Sequence, residues 1–288
     1  MITASLVKEL RESTGVGMME CKNALKETEG DLEAAVKLLR ERGKAKAVKK
    51  ADREAKEGVV AAQLDETGKT GTLIELNCET DFVAKNDNFQ AFVADILNTI
   101  STAGADSSAA ALALPKGDET LDEFIKTKVL EMGENLQLRR VTRFEVAGEG
   151  AVASYIHLGG KVGVLIEVGA EKAESTQTDS FRNLVKDLTL HIAASAPAGL
   201  SRDDITADLI KAEKDIYRKQ MEGQNKPADI IERIIEGKIG KFYSERCLLE
   251  QGFIKDPDTT IKALLESNSK ELGDTLTIRQ FVRYGLGE

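Results

Sequence analysis

The sequence predicts an α+β protein, in which helical segments and antiparallel strands alternate in blocks along the chain. Residues 1–43 place apolar side chains only at helical spacing, whereas residues 57–79 and 149–171 contain β-rich runs around glycine-containing turns. Long amphipathic stripes follow each β-rich segment. We therefore expect a small helical bundle followed by a core in which helices cover sheets.

The two β-rich segments are copies of each other. Residues 57–79 read EGVVAAQLDETGKTGTLIELNCE and residues 149–171 read EGAVASYIHLGGKVGVLIEVGAE; eleven of the 23 positions are identical at an offset of 92. Such self-similarity indicates one supersecondary unit used twice. Each copy is predicted to form a β-hairpin, a loop and an amphipathic helix. Three pairs of glycines coincide: Gly58/Gly150, Gly68/Gly160 and Gly71/Gly163.

Residues 1–43 are predicted to form three short helices. Asp31 is the expected N-cap of the third helix, and Gly43 its expected end. A bundle this small has a thin core, which favours a docking module over an enzyme. Its apolar stripes comprise Leu6, Val7 and Leu10; Met18, Cys21 and Leu25; and Leu32, Ala35, Val36 and Leu39.

A basic stretch follows the bundle. It permits two interpretations, a nucleic-acid-binding arm or a solvated helical linker. Acidic residues interleave with the cations and no aromatic is present for base stacking, which favours the linker. We therefore assign residues 1–50 to the bundle with its basic linker and expect no direct binding of nucleic acid. The cations are Lys44, Lys46, Lys49, Lys50, Arg53 and Lys56.

The remaining chain is predicted to form two core subdomains with one insertion. A helix over 88–101 follows the first copy, and Thr120 with Glu123 has the spacing of a capping box that opens the next helix. Residues 137–146 and 277–284 are predicted strands. The predicted boundaries are 57–140 for the first subdomain, 141–180 with 228–288 for the second, and 181–227 for the insertion.

The insertion is predicted to be a protruding antiparallel helical hairpin. One apolar stripe covers 181–192 and another covers 203–221, with a Pro-Ala-Gly break between them and a further turn at 223–227. Protruding hairpins carry self-association or partner contacts, or they pack on their own core. The sequence leaves these alternatives open, so a homodimer through the hairpin is one expected assembly.

Composition favours a cytoplasmic protein with a real core. The chain has 288 residues, 41% of them hydrophobic, and a formal net charge of −9. Its three cysteines, Cys21, Cys78 and Cys247, are far apart and form no CxxC pair, which favours buried thiols in a reducing compartment. No apolar run approaches 18 residues and no signal peptide is recognised, so we expect no membrane association.

Motifs for bond-making chemistry are scarce. His157 and His191 have no neighbouring ligand at metal-binding spacing, and the glycine-rich segments 14–17 and 159–161 lack the Gly-Lys-Ser/Thr ending of a phosphate-binding loop. We therefore expect an interaction protein rather than an enzyme, with no metal and no cofactor.

Phe82 is the principal candidate functional residue. It lies in the segment Thr80–Asn86, TDFVAKN, where the second copy reads KAESTQT and places Glu174 opposite the aromatic. Since the shared scaffold does not require an aromatic there, insertion of Phe82 into a partner is favoured over a local core plug.

Several segments resemble the elongation factor Ts family, in order and over essentially the whole chain. They are Thr14–Lys22 (TGVGMMECK), Thr80–Asp87 (TDFVAKND), His191–Pro197 (HIAASAP) and Leu248–Pro257 (LLEQGFIKDP). The resemblance implies a guanine-nucleotide exchange factor for elongation factor Tu, which releases GDP by displacing magnesium. It also implies a ubiquitin-associated-like bundle, a two-subdomain α+β core and a helical hairpin.

The resemblance also implies roles for particular residues. The loop formed by Thr80, Asp81, Phe82 and Val83 is implicated in dislodging the magnesium of the partner. Further partner contacts implied by the resemblance are Met18, Met19, Cys21, Lys22 and His157.

Two departures from the family pattern bear on these expectations. Asn23 stands where members often have a second lysine, which puts that N-terminal contact in doubt. Many members continue beyond the final strand, whereas this sequence ends at Gly285–Glu288; we expect any grip supplied by such a tail to be absent, through natural difference or truncation. The alternative function is a non-enzymatic ubiquitin-like or peptide-binding adaptor built from the bundle.

Overall fold

The computed structural model describes residues 2–222 and 227–288 and shows the mixed helices and antiparallel sheets of an α+β protein. The turn predicted at 223–227 lies, except for Pro227, outside the described residues. Among the helices that the structure describes, none is both long enough and apolar enough to cross a membrane.

Three N-terminal helices form a bundle: α1 (Ala4–Thr14), α2 (Met18–Glu27) and α3 (Leu32–Lys50). The Asp31 side chain accepts a hydrogen bond from the Ala34 amide, which confirms it as the N-cap of α3. The centre of the bundle is apolar and fully buried, at Leu10, Cys21, Ala24, Leu25 and Ala35.

Gly43 does not end the third helix, contrary to the prediction. Helix α3 continues to Lys50 and crosses another helix, α7 (Leu121–Met132). A Cβ atom added at Gly43 would lie 2.6 Å from the carbonyl oxygen of Thr127, so the glycine permits close packing of the two helices. Leu130 of α7 belongs to the apolar cluster of the bundle, which therefore packs directly on the core.

The first copy of the core unit contains a three-stranded antiparallel sheet in the order β1-β2-β5, covered by helices. Thr120 and Glu123 form the predicted capping box at the start of α7. In chain order, its elements are β1 (Glu57–Leu64), β2 (Thr70–Cys78), α4 (Asp81–Ala84), α5 (Asp87–Ala103), α6 (Ser108–Leu112), β3 (Pro115–Lys116), β4 (Glu119–Thr120), α7 and β5 (Gln137–Glu145).

The second copy repeats this architecture with the sheet order β6-β7-β10. The duplication extends further than the sequence comparison indicated, because α7 and β5 also have counterparts, at an offset of 140. Its elements are β6 (Gly150–His157), β7 (Val162–Gly169), α8 (Ala173–Thr176), α9 (Asp179–Ser195), α10 (Ala207–Met221), α11 (Ala228–Arg246), β8 (Gly252–Phe253), β9 (Asp256–Thr260), α12 (Ile261–Leu272) and β10 (Thr277–Gly285).

The two sheets pack face to face through equivalent residues of the two copies. The Val60 amide donates to the Gly160 carbonyl at 2.8 Å, and the Val152 amide donates to the Gly68 carbonyl at the same distance. These bonds are related by the offset of 92, so each copy presents the same face to the other. The apolar layer between the sheets contains Val60, Leu73, Phe144, Val152, Leu165 and Tyr284.

The helical hairpin is built from different helices than predicted. Helix α9, whose apolar stripe was assigned to the hairpin, packs on β6 and β7 and is the counterpart of α5. Helix α10 instead pairs with α11. The reason is that the α9 stripe is needed to cover the second sheet, which leaves α10 to pair with the next helix.

Candidate functional site

Phe82 lies on α4, a single turn of helix between β2 and α5. The Thr80 hydroxyl oxygen caps this turn by accepting from the Val83 amide at 3.4 Å, while Ala84 faces the core. The Phe82 ring is 83% exposed, the largest exposure among the large apolar residues that the structure describes. The ring therefore plugs no local core, and the scaffold presents it to solvent.

Two carboxylates hold the residues before α4 by accepting hydrogen bonds from backbone amides. Glu134 accepts from the amides of Glu79 and Thr80 at 2.9 and 3.0 Å, and also from the Thr80 hydroxyl. Glu79 in turn accepts from the Asn135 amide at 2.7 Å. We call these four residues, Glu79, Thr80, Glu134 and Asn135, the clasp.

The clasp lies beside a buried thiol, that of Cys78, which contacts the Thr80 carbonyl. Burial, with the nearby Glu134 charge, raises the pKa of Cys78 to about 12, so this thiol stays protonated. The pKa of the Glu79 carboxyl is lowered: burial acts to raise it, but the Asn135 amide and Arg53 together outweigh burial. Cys21 and Cys247 are likewise buried, so the predicted burial of all three cysteines is confirmed.

Charged side chains surround the exposed ring. Lys85 forms an ion pair with Asp81 at 2.7 Å, and that hydrogen bond is the main reason that the pKa of Asp81 is lowered. The field of Lys161 acts in the same direction. Lys161 also pairs with Glu57 at 2.5 Å, which ties the β6–β7 turn to the start of β1.

His157 is the last residue of β6, directly before that turn, so the structure brings it to the edge of the core where α4 lies. Its ring is exposed, stacks on Tyr155 and hydrogen bonds the tyrosine hydroxyl through Nδ1 at 2.8 Å. Leu158 beside it is 70% exposed, with a positive φ of 50°. Sequence reasoning selected His157 but missed Leu158 and Lys161.

The bundle presents a second exposed surface. Met18 and Met19 are 53% and 65% exposed, and together with Lys22 they line a groove of about 830 Å³ against α1. Cys21 does not belong to this surface, contrary to the expectation that it contacts a partner. It is fully buried, with its thiol directed at the Val16 carbonyl at 3.4 Å.

The basic stretch is largely occupied by contacts within the chain. Lys44 pairs with Glu119 and Glu123, Lys46 pairs with Glu20, and Lys50 donates to the Gly133 carbonyl. Most of the stretch is therefore the last two turns of α3, packed beside the core.

The second copy has the same scaffold around α8 but no exposed ring. Asp274 accepts from the amides of Glu171 and Lys172 at 3.1 and 3.2 Å, as Glu134 does in the first copy. Helix α8 lacks a side-chain cap, and the position of Phe82 is taken by the exposed Glu174. The aromatic is thus a property of the first copy alone.

The two histidines occupy unrelated environments. His191 is fully buried; its Nε2 lies 2.9 Å from Gln251 Oε1, and its Nδ1 accepts from the Ile254 amide at 3.3 Å. These contacts make it a structural link between α9 and the segment after α11. Within residues 2–222 and 227–288, no three His, Cys, Asp or Glu side chains are grouped to hold a metal ion.

The structure thus combines a duplicated α+β core with an exposed aromatic on a capped helical turn and an apolar surface on the bundle. The family model described as elongation factor TS matches residues 79–288. Elongation factors Ts from Trichlorobacter lovleyi and Clostridium botulinum are each 44% identical over 290 aligned residues, and that from Nitratiruptor sp. is 42% identical over 287. The alignments cover 100% of this chain and 93 to 94% of each relative.

The chain therefore belongs to the elongation factor Ts family, and it is a translation elongation factor. This confirms the resemblance found in the sequence. The adaptor alternative rested on the bundle alone, whereas the family model matches residues 79–288 and the alignments with relatives cover the whole chain.

Proposed function

We propose that this chain binds elongation factor Tu in its GDP form and promotes release of GDP by displacing the bound magnesium, in the cytoplasm. The observation that carries the proposal is the Phe82 ring, which is 83% exposed on an anchored turn. An aromatic held out in water gains most when a partner pocket takes it up.

Free energies indicate how the ring contributes. A thousandfold faster release needs about 4 kcal/mol of barrier reduction. Burial of one phenylalanine side chain supplies roughly 2–3 kcal/mol. The remainder must come from movement of the partner groups that orient the magnesium ion, since the metal neutralises the phosphates.

No bond is made or broken in this mechanism. An exchange factor needs higher affinity for the nucleotide-free partner than for the loaded one, and the coupling between factor and nucleotide is reciprocal. In the proposal, the α4 residues Asp81, Phe82 and Val83, with Thr80 as their cap, act at the magnesium site. The neighbouring turn with His157 extends this contact surface.

The bundle supplies a second contact in the proposal. It is a ubiquitin-associated-like domain that binds the GTPase domain of the partner through Met18, Met19 and Lys22. The first two are exposed apolar side chains, and they lie beside a lysine that keeps the surface soluble. Cys21 supports this surface from within the bundle.

The test is stopped-flow release of a fluorescent GDP from elongation factor Tu. At saturating factor, Phe82→Ala should slow release by roughly 30- to 150-fold, the equivalent of the burial energy. The fold should persist, because the ring makes little contact with its own chain. Val48→Ala is the matched control, since Val48 is 72% exposed on α3, and it should release GDP at the wild-type rate. An unchanged rate for the Phe82 variant would refute the loop assignment.

A homodimer through the hairpin is a second proposal, favoured by exposed apolar residues. Leu209 and Ile216 on α10 are 40% and 47% exposed, and Ile230 on α11 is 38% exposed. Other apolar residues of α11 are buried instead, among them Ile235 and Ile239. Sedimentation equilibrium of the wild type against Leu209→Lys/Ile216→Lys tests it; a wild-type monomer at every concentration would exclude the dimer.

A further inference from the structure

We propose that Glu134 is a positioning residue for the exchange reaction. In this inference, which rests on the proposed function, its carboxylate fixes the helical turn that carries Phe82 in the orientation that enters the partner. The residue lies between α7 and β5, 52 positions after the ring, and makes no contact with it in the hydrogen-bond network.

The α4 turn is too short to hold its own shape. Residues Asp81–Ala84 form one turn, and helix nucleation is unfavourable at this length without tertiary support. The support comes through an unbroken path of hydrogen bonds. Glu134 accepts from the Thr80 amide and hydroxyl, and the Thr80 hydroxyl oxygen accepts from the Val83 amide. The Glu134 carboxylate thus fixes the backbone on both sides of Phe82, at Thr80 and, through the Thr80 hydroxyl, at Val83.

The other half of the clasp joins this turn to the end of α3. Glu79 binds the Asn135 amide at 2.7 Å, and the Asn135 side chain donates to the Arg53 carbonyl at 2.9 Å. Arg53 also pairs with Glu79 at 3.4 Å. The clasp therefore holds α4 in a fixed relation to the chain that leaves the bundle, so both proposed contact surfaces belong to one framework.

Fixing the turn has a physical advantage for binding. An exposed ring on a mobile loop loses conformational freedom when a partner takes it up, whereas a ring on an anchored turn has lost that freedom already. Removal of the anchor should therefore weaken the action of Phe82 without touching the ring. A role carried out through Phe82 must also disappear when Phe82 is absent.

The second copy supplies a matched control. Asp274 makes the equivalent contacts to the amides of Glu171 and Lys172, but α8 carries no aromatic. Asp274→Ala removes a similar set of hydrogen bonds from the same scaffold. It should lower the melting temperature as Glu134→Ala does, and it should leave GDP release unchanged.

The experiment is a double-mutant cycle on GDP release at saturating factor. Glu134→Ala should slow release about tenfold in the wild-type background and have no further effect in the Phe82→Ala background. Glu134→Gln should stay within about threefold of wild type, because its amide oxygen accepts from the main chain and its nitrogen donates to Thr80. Equal slowing in both backgrounds, or by Asp274→Ala, would overturn the inference.

A second measurement does not depend on the partner. Hydrogen exchange of the free protein should show loss of protection at the amides of residues 79, 80 and 83 in Glu134→Ala, with residues 171 and 172 unaffected. Unchanged protection at residues 79–83 would overturn the inference even if exchange activity fell. Failure of the proposed function is distinguishable, because the wild-type factor itself would then leave GDP release unaccelerated.

Discussion

Glu75 in the first copy and Glu167 in the second occupy the same position of the middle strand of their sheets, and both are buried. Each accepts from an arginine at a β-bulge of the neighbouring strand, Arg139 at 3.5 Å and Arg279 at 3.0 Å. Both copies thus contain the same Glu–Arg ion pair, although burying these charges is costly.

The same copies differ where they meet solvent. The first presents an aromatic on α4, and the second presents Glu174 on α8 and carries the hairpin α10–α11. Buried positions are constrained by packing against several elements at once, whereas exposed turns are constrained only by their anchors. The scaffold is therefore common to both copies, whereas the exposed features belong to one copy or the other.

The largest predicted effect concerns the first strand of each sheet, where the copies should behave alike. Gly58 and Gly150 have φ values of 132° and 145°, and an added Cβ would lie 2.2 and 2.4 Å from a carbonyl oxygen of the next strand. Replacement of either by Ala should cost roughly 4 kcal/mol through strain and overlap. Urea unfolding measures this cost. Gly68→Ala is the milder control: its φ of 67° brings strain of about 1 kcal/mol, but its Cβ would meet no other atom. A mild effect at only one of Gly58 and Gly150 would contradict the equivalence of the two strands.

The buried glutamates should show a smaller and unequal effect. Glu75 also accepts from the Gly287 and Asn77 nitrogens, whereas Glu167 accepts from Arg279 and Gln280. We expect Glu75→Ala to cost about 3 kcal/mol and Glu167→Ala about 2, since more buried donors lose their acceptor in the first copy. Thermal unfolding of both variants checks the order, and the reverse order would contradict this account.

His191, in the second copy, should make stability depend on pH. Its counterpart in the first copy, Thr99, does not titrate. Burial lowers the pKa of His191, although the Gln251 hydrogen bond opposes this. Histidine in the unfolded state has a pKa of about 6.5, so the unfolded state binds a proton at a higher pH than the folded state does. The contribution of His191 to the free energy of unfolding is fully present above that pH and is lost as the pH falls below it.

The free energy of unfolding should therefore fall as the pH is lowered from 7 to about 5.5. Urea unfolding of wild type and His191→Gln across this range isolates it, because His157 and the carboxylates are common to both. Parallel stability curves would show that His191 does not titrate differently on unfolding.

The smallest effect is expected from moving the ring to the other copy. Glu174→Phe in the Phe82→Ala background should not restore GDP release. Helix α8 has no side-chain cap, and residue 174 lies on a different edge of the core from residue 82. Recovery in the stopped-flow assay would show that either copy can act on the partner.

Much of this architecture was predictable from local sequence. The duplicated hairpins, the Asp31 cap and the capping box at Thr120 follow from spacing, and the structure confirms them. Phe82 was recognisable as surplus to the scaffold because the second copy lacks it. The partner roles of Thr80–Val83 remain predictions.

The errors came from contacts between distant residues. Gly43 has the signature of a helix end, but its neighbour Thr127 on α7 is 84 positions away and makes glycine a requirement of packing. The later half of the duplication was hidden because the hairpin insertion changes the offset from 92 to 140. A search at the new offset would have paired Gly133-Glu134 with Gly273-Asp274 and revealed the clasp.

The face between the two sheets is incomplete while the chain is being synthesised. Gly71 lies against Val152 and Leu165, and Gly163 lies against the equivalent Val60 and Leu73. Residues 57–145 leave the ribosome before their complement is made, exposing a face that fits a second molecule of the same half. We therefore expect this face to be open to pairing with another copy until residues 146–288 of the same chain are made.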